Sequence, residues 1–129
     1  SGALSAALSA MVCNLTIGKE KYADIQNEIK NVLKKSETLR KKLTDLIDED
    51  TEAFNDVMKT FKMPKETDEQ KKKRTAAIQE GYKAASMVPF ETAKTCAEIL
   101  DVAKVIAEKG NINSVTDAAV SAIMTKAGY

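Results

Sequence analysis

Acid–base chemistry in this sequence depends on carboxylates, lysines and tyrosines, because none of its 129 residues is histidine. Without an imidazole there is no Ser–His or Cys–His nucleophile pair, no histidine proton shuttle and no zinc site with a histidine ligand. Cys13 and Cys96 lie far apart in apolar segments and lack CxxC spacing, so we expect two core thiols in a reducing compartment. In an enzyme of this composition a carboxylate, a lysine or a tyrosine must move the protons.

Asp50 is the carboxylate whose position best suits that task. It interrupts a run of apolar residues at helical 4,3 spacing, which reads Leu43, Leu46, Asp50, Ala53 and Val57. The pattern predicts that its side chain faces the core, where a carboxylate must be hydrogen-bonded, paired or protonated. Such an environment suits a group that accepts and returns a proton. The alternative is structural, with Asp50 fixing helix register or pairing with a lysine of a neighbouring helix.

Asp48 lies beside Asp50 in an acidic segment, Asp45–Glu52, and is expected to be solvated or to line the rim of a pocket. Such a cluster could hold a divalent cation, but consecutive helical residues point in different directions. We therefore predict no metal site. The basic run Lys71–Arg74 follows acidic residues at 66–69, and the net charge is only +1, so no nucleic-acid partner is predicted.

Three further residues are candidates for binding a ligand. Lys21, with Lys19, follows Gly18 at a junction between helices and is well placed to meet an anion. Asn111 lies in the loop 110–114, which leads to the amino terminus of the last helix, where free N–H groups favour an anion or an acceptor atom. Asp117 would close the cap of that helix. The loop is a candidate wall of a ligand site.

Helical periodicity accounts for almost the whole chain, and no segment reads as a strand. It predicts a buried first helix over 1–17, a long helix over 19–61, a second long helix from Asp68 to Lys109 broken near Met87-Val88 by Pro89, and a last apolar helix after Ser114. Thr67–Gln70 and Ser114–Asp117 are candidate capping boxes.

This order predicts an all-α fold of one domain, residues 1–129: a multihelical antiparallel bundle with long, kinked helices. The short terminal helices offer too little apolar cover for the long ones, which favours a homodimer. The opening apolar segment, Ala3–Ile17, is too short to cross a bilayer, so we expect a cytoplasmic protein without a membrane partner.

Several stretches together resemble the formiminotetrahydrofolate cyclodeaminase / methenyltetrahydrofolate cyclohydrolase family. They occur in the family's order and spacing and are Ser1–Leu8, Met11–Tyr22, Leu46–Phe54, Met63–Thr67, Ala77–Glu80, Val88-Pro89 and Gly110–Asp117. The family usually carries a glycine-rich stretch before the part matched by Ser1 and a further helix and loop after the part matched by Tyr129. We expect this domain to lack both segments.

The resemblance implies an all-helical homodimer that binds a tetrahydrofolate derivative as substrate and uses no prosthetic group. It implies a lyase that converts 5-formiminotetrahydrofolate to 5,10-methenyltetrahydrofolate and ammonia, with methenyltetrahydrofolate cyclohydrolase as the alternative. The family's catalytic aspartate lies in the segment matched by Asp48–Phe54, and the apolar pattern selects Asp50. Lys21, Asp48, Asn111 and Asp117 are the expected substrate-binding residues. A non-catalytic helical interaction module is the remaining alternative.

Overall fold

Helices make up every regular element of the structure, a computed structural model that describes residues 1–129. The five α-helices are α1 (Gly2–Thr16), α2 (Gln26–Phe61), α3 (Asp68–Ala85), α4 (Met87–Lys109) and α5 (Val115–Gly128). Two 3-10 segments, Glu20–Ile25 and Ile112–Ser114, precede α2 and α5. The predicted all-α class is confirmed.

The junction between α1 and α2 differs from the sequence-based expectation. Gly18 follows α1 with a φ of 75°, a left-handed conformation that favours glycine at the end of a helix. The long helix begins at Gln26 and not at Lys19, because residues 20–25 form 3-10 turns in which Tyr22 leaves helical geometry. Gln26 closes this turn: its Oε1 accepts from the Gly18 N–H at 2.9 Å and its Nε2 donates to the Tyr22 carbonyl at 2.8 Å.

The predicted break in the second long helix is present, one residue before Met87. Ser86 separates α3 from α4, and Pro89 lies in the first turn of α4, where its missing N–H costs no helical hydrogen bond. The Thr67–Gln70 capping box is confirmed, with the Gln70 N–H donating to Thr67 Oγ1 at 3.2 Å. The second predicted box is wrong, because the 3-10 turn runs straight into α5 and the Ser114 side chain caps nothing.

The chain divides into two compact units, which we describe separately. The first contains residues 1–44 and 92–129, and the second contains residues 45–91. In the first unit a fully buried cluster joins α1, α2, α4 and α5 through Val12, Cys13, Ile29, Ile106 and Ala118. Partly buried Val32 and Leu33 of α2 pack against this cluster, as do Ile17 and Ile25 from the segment between α1 and α2.

Buried hydroxyls join α1 to α5. We call this set, Ser5, Ser9, Ser121 and Thr125, the hydroxyl seam; all four are fully buried. Ser5 Oγ donates to the Ser121 carbonyl at 2.6 Å and also contacts the Thr125 hydroxyl, while Ser121 Oγ donates back to the Ser5 carbonyl at 3.0 Å. Because small side chains let the two helices approach closely, each hydroxyl finds a partner across the interface.

The outer faces of α1 and α5 carry exposed apolar side chains. On α1, Leu4 is 54% exposed and Leu15 43%, and on α5 Ile123 is 67% exposed. The expectation that the first helix is buried nearly all round is therefore wrong for the single chain. The helix packs its small residues against α5 and Val12 into the core, whereas Leu4, Met11 and Leu15 point outward.

The second unit pairs the last part of α2 with α3. Val57 is buried and lies where Gly81 of α3 leaves room, since a Cβ on Gly81 would meet Val57 Cγ2 at 3.4 Å. The Phe61 and Tyr82 rings meet edge to face, with centroids 6.1 Å apart. The Arg74 guanidinium lies over the Phe61 ring at 5.6 Å and donates to the Phe61 carbonyl at 3.3 Å.

Replacing threonine by valine should destabilise the protein more in the hydroxyl seam than at an exposed position. Thr125→Val keeps the side-chain volume but removes the buried bonds of the Thr125 hydroxyl to Ser5 Oγ and to the Ser121 carbonyl, so we expect the free energy of unfolding to fall by about 1–3 kcal/mol. Thr38→Val is the matched control, because Thr38 is exposed and bonds only the Lys34 carbonyl of its own helix. Urea unfolding measures both, and equal losses would contradict a specific role for the seam.

Candidate functional site

A basic depression lies in the first unit where the end of α1 and the loop before α5 meet. Its lining residues are Lys19, Lys21, Tyr22, Asn111, Ile112 and Asn113, and its volume is about 230 Å³. Two lysines line it and no carboxylate does. The structure thus brings together Lys21 and Asn111, two residues that the sequence analysis singled out from segments 90 positions apart.

Tyr22 holds the two walls of the basic depression together. Its hydroxyl accepts a hydrogen bond from the Ile112 N–H at 3.0 Å, and the Lys21 ammonium lies 5.7 Å from the centre of its ring. The contact with Lys21 is a cation–π pair at an exposed position. Tyr22 was missed by sequence reasoning because its partner is 90 residues away. The available signal was an aromatic residue four positions after the helix-ending Gly18.

The main role of Asn111 is to hold the loop that forms one wall of the basic depression. Its side-chain oxygen accepts from the Asn113 N–H at 3.0 Å, and its side-chain nitrogen donates to the Leu15 carbonyl at 2.9 Å. Its backbone N–H donates to Thr16 Oγ1 at 2.9 Å. Since both polar atoms of the amide are used, Asn111 fixes the position of its loop on the end of α1.

Close packing fixes the other side of the same loop. A Cβ added to Gly110 would collide with the Ile106 carbonyl oxygen and lie 3.1 Å from Val12 Cγ1. Only glycine therefore fits at position 110, where the chain turns away from the end of α4. Lys109, in the last turn of α4, pairs with Glu28 of α2 at 2.7 Å.

Asp50 belongs to the second unit, and its predicted burial is wrong. Residues 47–52 of α2 are all exposed, which amounts to more than one full helical turn. The apolar spacing correctly put Leu46 and Val57 in the interior and Ala53 partly so, but the turn that carries Asp50 is left uncovered. Helical periodicity predicts which side of a helix a residue lies on. It does not predict how far along the helix other parts of the protein pack against that side.

Large apolar side chains flank the exposed Asp50. Ile47, three residues before it, is 62% exposed, and Phe54, four residues after it, is 63% exposed. Residues at these spacings share one side of a helix, so the carboxylate stands on an open face that also carries apolar surface. Asp48 is exposed on the same helix.

Asp117 does not line the basic depression. It is half-buried in the first turn of α5, where a negative charge interacts favourably with the helix amino terminus. No three carboxylates or thiols converge in a way that could hold a metal ion. None of the helices combines the length and apolar character that crossing a bilayer requires.

The two thiols are poor nucleophiles at neutral pH. Cys13 is fully buried, and burial raises the pKa of its thiol from 9.0 to about 11. Burial also raises the pKa of the Cys96 thiol. Because the thiolate is the reactive form, both residues act as small core side chains, as the sequence predicted.

The chain is similar to known proteins over its whole length. The model of the formiminotransferase-cyclodeaminase family matches residues 1–129, the whole sequence. The chain belongs to this family. It is 50% identical over 128 residues to a methenyltetrahydrofolate cyclohydrolase of Methylorubrum extorquens, an alignment that covers 99% of this chain and 62% of that protein.

Two further relatives of the family carry cyclodeaminase names. The formimidoyltransferase-cyclodeaminase of Rattus norvegicus is 31% identical, over 98% of this chain and 23% of its own length. The crystal structure of formiminotetrahydrofolate cyclodeaminase from Thermotoga maritima superposes with a TM-score of 0.84 at 31% identity, over 98% of this chain and 59% of that one. The chain thus spans less than two thirds of each of these relatives.

Removing the Tyr22 hydroxyl should let the loop at Ile112 open more often. Tyr22→Phe leaves the Ile112 N–H without its acceptor, so we expect faster hydrogen exchange at that amide and a loss of about 1 kcal/mol in unfolding free energy. Tyr129→Phe serves as control because Tyr129 is 74% exposed. Unchanged exchange at Ile112 in Tyr22→Phe would contradict the anchoring role.

The raised thiol pKa of Cys13 predicts how stability depends on pH. The folded thiol keeps its proton to higher pH than the unfolded one, so its contribution is complete below pH 9.0 and is lost as the pH rises through about 11. We expect Cys13 to account for a fall of about 2–3 kcal/mol in unfolding free energy across that interval. The measurement is urea unfolding at pH 8, 9.5 and 11.

Cys13→Ala should flatten this pH dependence. Val12→Ala makes a comparable cavity in the same cluster without removing a thiol, and should keep the slope of the unaltered protein. A slope in Cys13→Ala equal to that in Val12→Ala would show that the thiol does not cause it.

Proposed function

We propose that this domain is a methenyltetrahydrofolate cyclohydrolase, an enzyme of folate one-carbon metabolism. Family membership supports a folate enzyme. The observation that carries the finer choice is the 50% identity, over 99% of the chain, to a protein of that name, against 31% to the rat cyclodeaminase. The sequence analysis favoured the cyclodeaminase, and the comparisons favour its alternative.

The reaction needs one group that handles protons. Water adds to the methenyl carbon that bridges N5 and N10 of the folate, and a base takes a proton from that water. The hydroxyl of the tetrahedral centre then loses the second proton of the water, the C=O of the formyl group forms on N10, and the bond from carbon to N5 breaks as N5 takes up a proton. A single carboxylate can accept a proton from the water and deliver it to N5, and the other proton is released to solvent.

We assign that role to Asp50. The family's catalytic aspartate corresponds to the segment Asp48–Phe54, and Asp50 is the residue there that shares a helix face with Ile47 and Phe54. An exposed carboxylate between exposed apolar side chains is suited to a site that a flat, partly apolar ligand covers. Lys21, Asp48, Asn111 and Asp117 remain our candidates for substrate binding, with Asn111 acting through the loop that it holds.

The second candidate is the cyclodeaminase reaction, which the rat and Thermotoga relatives favour. There N10 attacks the formimino carbon on N5, and ammonia leaves after taking up a proton. The same carboxylate can take the proton from N10 and give one to the departing nitrogen. The two activities therefore require the same residue and differ in the substrate supplied.

We also propose that the domain works as a homodimer in the cytoplasm and needs no prosthetic group. Exposed Leu4, Leu15 and Ile123 in the first unit, and Ile47 and Phe54 in the second, supply apolar surface that a second copy could bury. Two cysteines without a disulfide are typical of a reducing compartment. The proton transfers described above need no metal or redox group.

The assay of the proposed function compares Asp50→Asn with the unaltered domain. We expect hydrolysis of methenyltetrahydrofolate, followed by loss of its ultraviolet absorbance, to fall by about 10²–10⁴-fold, since Asn keeps the shape but transfers no proton. Asp48→Asn tests the neighbouring aspartate and should have a smaller effect. Asp101→Asn, on an exposed position of α4, is the control.

Equal turnover in Asp50→Asn and the unaltered domain would remove Asp50 from the mechanism. If ammonia is released from formiminotetrahydrofolate faster than methenyltetrahydrofolate is hydrolysed, the cyclodeaminase replaces the cyclohydrolase as the proposed function. No turnover and no thermal stabilisation by any tetrahydrofolate would favour the non-catalytic interaction module, because a ligand that binds the folded state raises its melting temperature.

A further inference from the structure

We infer that Phe54 binds the positively charged methenyl bridge of the substrate beside Asp50, so that the second unit selects a cationic folate over neutral ones. The methenyl carbon and its two nitrogens, N5 and N10, form an amidinium group that carries one positive charge. Addition of water to this carbon removes the charge. The inference rests on the proposed function for the identity of the ligand, and it names a residue that determines specificity at the same site.

The charge of α2 in the second unit favours a cation. Residues 45–56 contain six acidic side chains and no lysine or arginine. Asp50 is exposed, and no basic side chain pairs with it. Its neighbours in sequence point to other sides of the helix, so they contribute a negative potential and not contacts. The unpaired carboxylate of Asp50 is therefore the group that a bound cation meets directly.

Phe54 offers the face of an aromatic ring next to that carboxylate. It follows Asp50 by one helical turn and is exposed. In the same unit the Phe61 ring already contacts the Tyr82 ring and the Arg74 guanidinium, whereas Phe54 has no aromatic or cationic partner. The face of an aromatic ring attracts a cation that lies within about 6 Å of its centre. Carboxylate and ring together form a site with two attractive groups for one positive charge.

The apolar side chains on this face fit a flat ring system. Ile47 is exposed and precedes Phe54 by seven residues, about 10 Å along the helix. Met58, also exposed, continues the apolar stripe by one more turn. Asp50 stands between Ile47 and Phe54, so a folate whose fused rings lie along these two side chains has its charged bridge next to the carboxylate. The exposed apolar face of the first unit stays available to a second copy.

Hydration of the bridge weakens this contact. The ring and the carboxylate attract the cationic substrate, and the attraction to its charge is lost when water adds to the methenyl carbon. A contact that is stronger in the bound substrate than in the transition state lowers KM without raising kcat. Phe54 therefore contributes to the affinity for substrate and to the release of a neutral product.

The first test uses two ligands of one shape. 5,10-Methylenetetrahydrofolate has the same fused rings as the methenyl substrate, but its bridge is neutral. For the unaltered protein we expect its inhibition constant to exceed the KM of the methenyl substrate by about tenfold, as a cation–π contact beside a carboxylate predicts. Phe54→Leu keeps apolar surface and removes the ring, so it should raise KM about fivefold. The inhibition constant of the neutral ligand should change little.

Phe54→Tyr is the matched control because it keeps an aromatic ring, and it should retain the KM of the unaltered protein. The inference is overturned if Phe54→Leu raises both constants equally, since the side chain then supplies only apolar contact. It is also overturned if Phe54→Leu changes neither constant, or if Phe54→Tyr raises KM as much as Phe54→Leu does. Each of these results can occur while turnover itself is normal, so the proposed function survives them.

A binding measurement recognises failure of the proposed function separately. The sequence contains no tryptophan, so Phe54→Trp introduces a single indole at this position. Tyr129→Trp, at an exposed position of the first unit, is the control. Methenyltetrahydrofolate is titrated into both variants, and the fluorescence is corrected for absorption by the ligand.

A saturable change in fluorescence that is larger in Phe54→Trp than in Tyr129→Trp supports the contact even if no substrate is turned over. Equal changes, or none, overturn it. A change in Phe54→Trp that follows the protein concentration and not the ligand also overturns it, because a second copy of the chain then covers this face.

Discussion

The packing of α1 against α5 depends on buried hydroxyls that must satisfy one another. Ser5, Ser9, Ser121 and Thr125 have no access to water, so sliding either helix would leave hydroxyls and carbonyls unpaired. A purely apolar interface of small residues would tolerate such sliding far better. The seam therefore fixes the position of the last residues of α1, and Leu15 and Thr16 are the groups to which Asn111 binds. The shape of the basic depression follows from that register.

The two units carry different chemistry. The first unit offers fixed donors and positive charge in a small concave site, and the second offers Asp50 on an uncovered helix face. An ammonium beside a carboxylate favours the ionised form of that carboxylate. The surroundings in the first unit therefore suit the binding of an anion, and those of Asp50 in the second unit suit a group that gains and loses a proton.

Sequence reasoning succeeded where the determining interactions are local. The Thr67 cap, the glycine at the end of α1 and the break next to Pro89 depend on residues within one or two turns, and all three are present. The same local pattern failed at Ser114, where a 3-10 turn already supplies the first hydrogen bond. Asp50 and Tyr22 show the other limit. The exposure of Asp50 depends on where covering helices end, and the role of Tyr22 depends on a loop distant in sequence. The resemblance identified the family, but the residue assigned to catalysis is common to both of its reactions.

The closeness of Gly128 to Ser1 has a consequence for how α1 and α5 meet. A Cβ on Gly128 would lie 2.8 Å from Ser1 Oγ and 3.1 Å from the Gly2 nitrogen, so the last turn of α5 passes the start of α1 at backbone distance. Any side chain larger than hydrogen at position 128 would have to push the two helices apart at this point. Backbone contact here and the hydroxyl seam further along therefore hold α1 against α5 at two separate places.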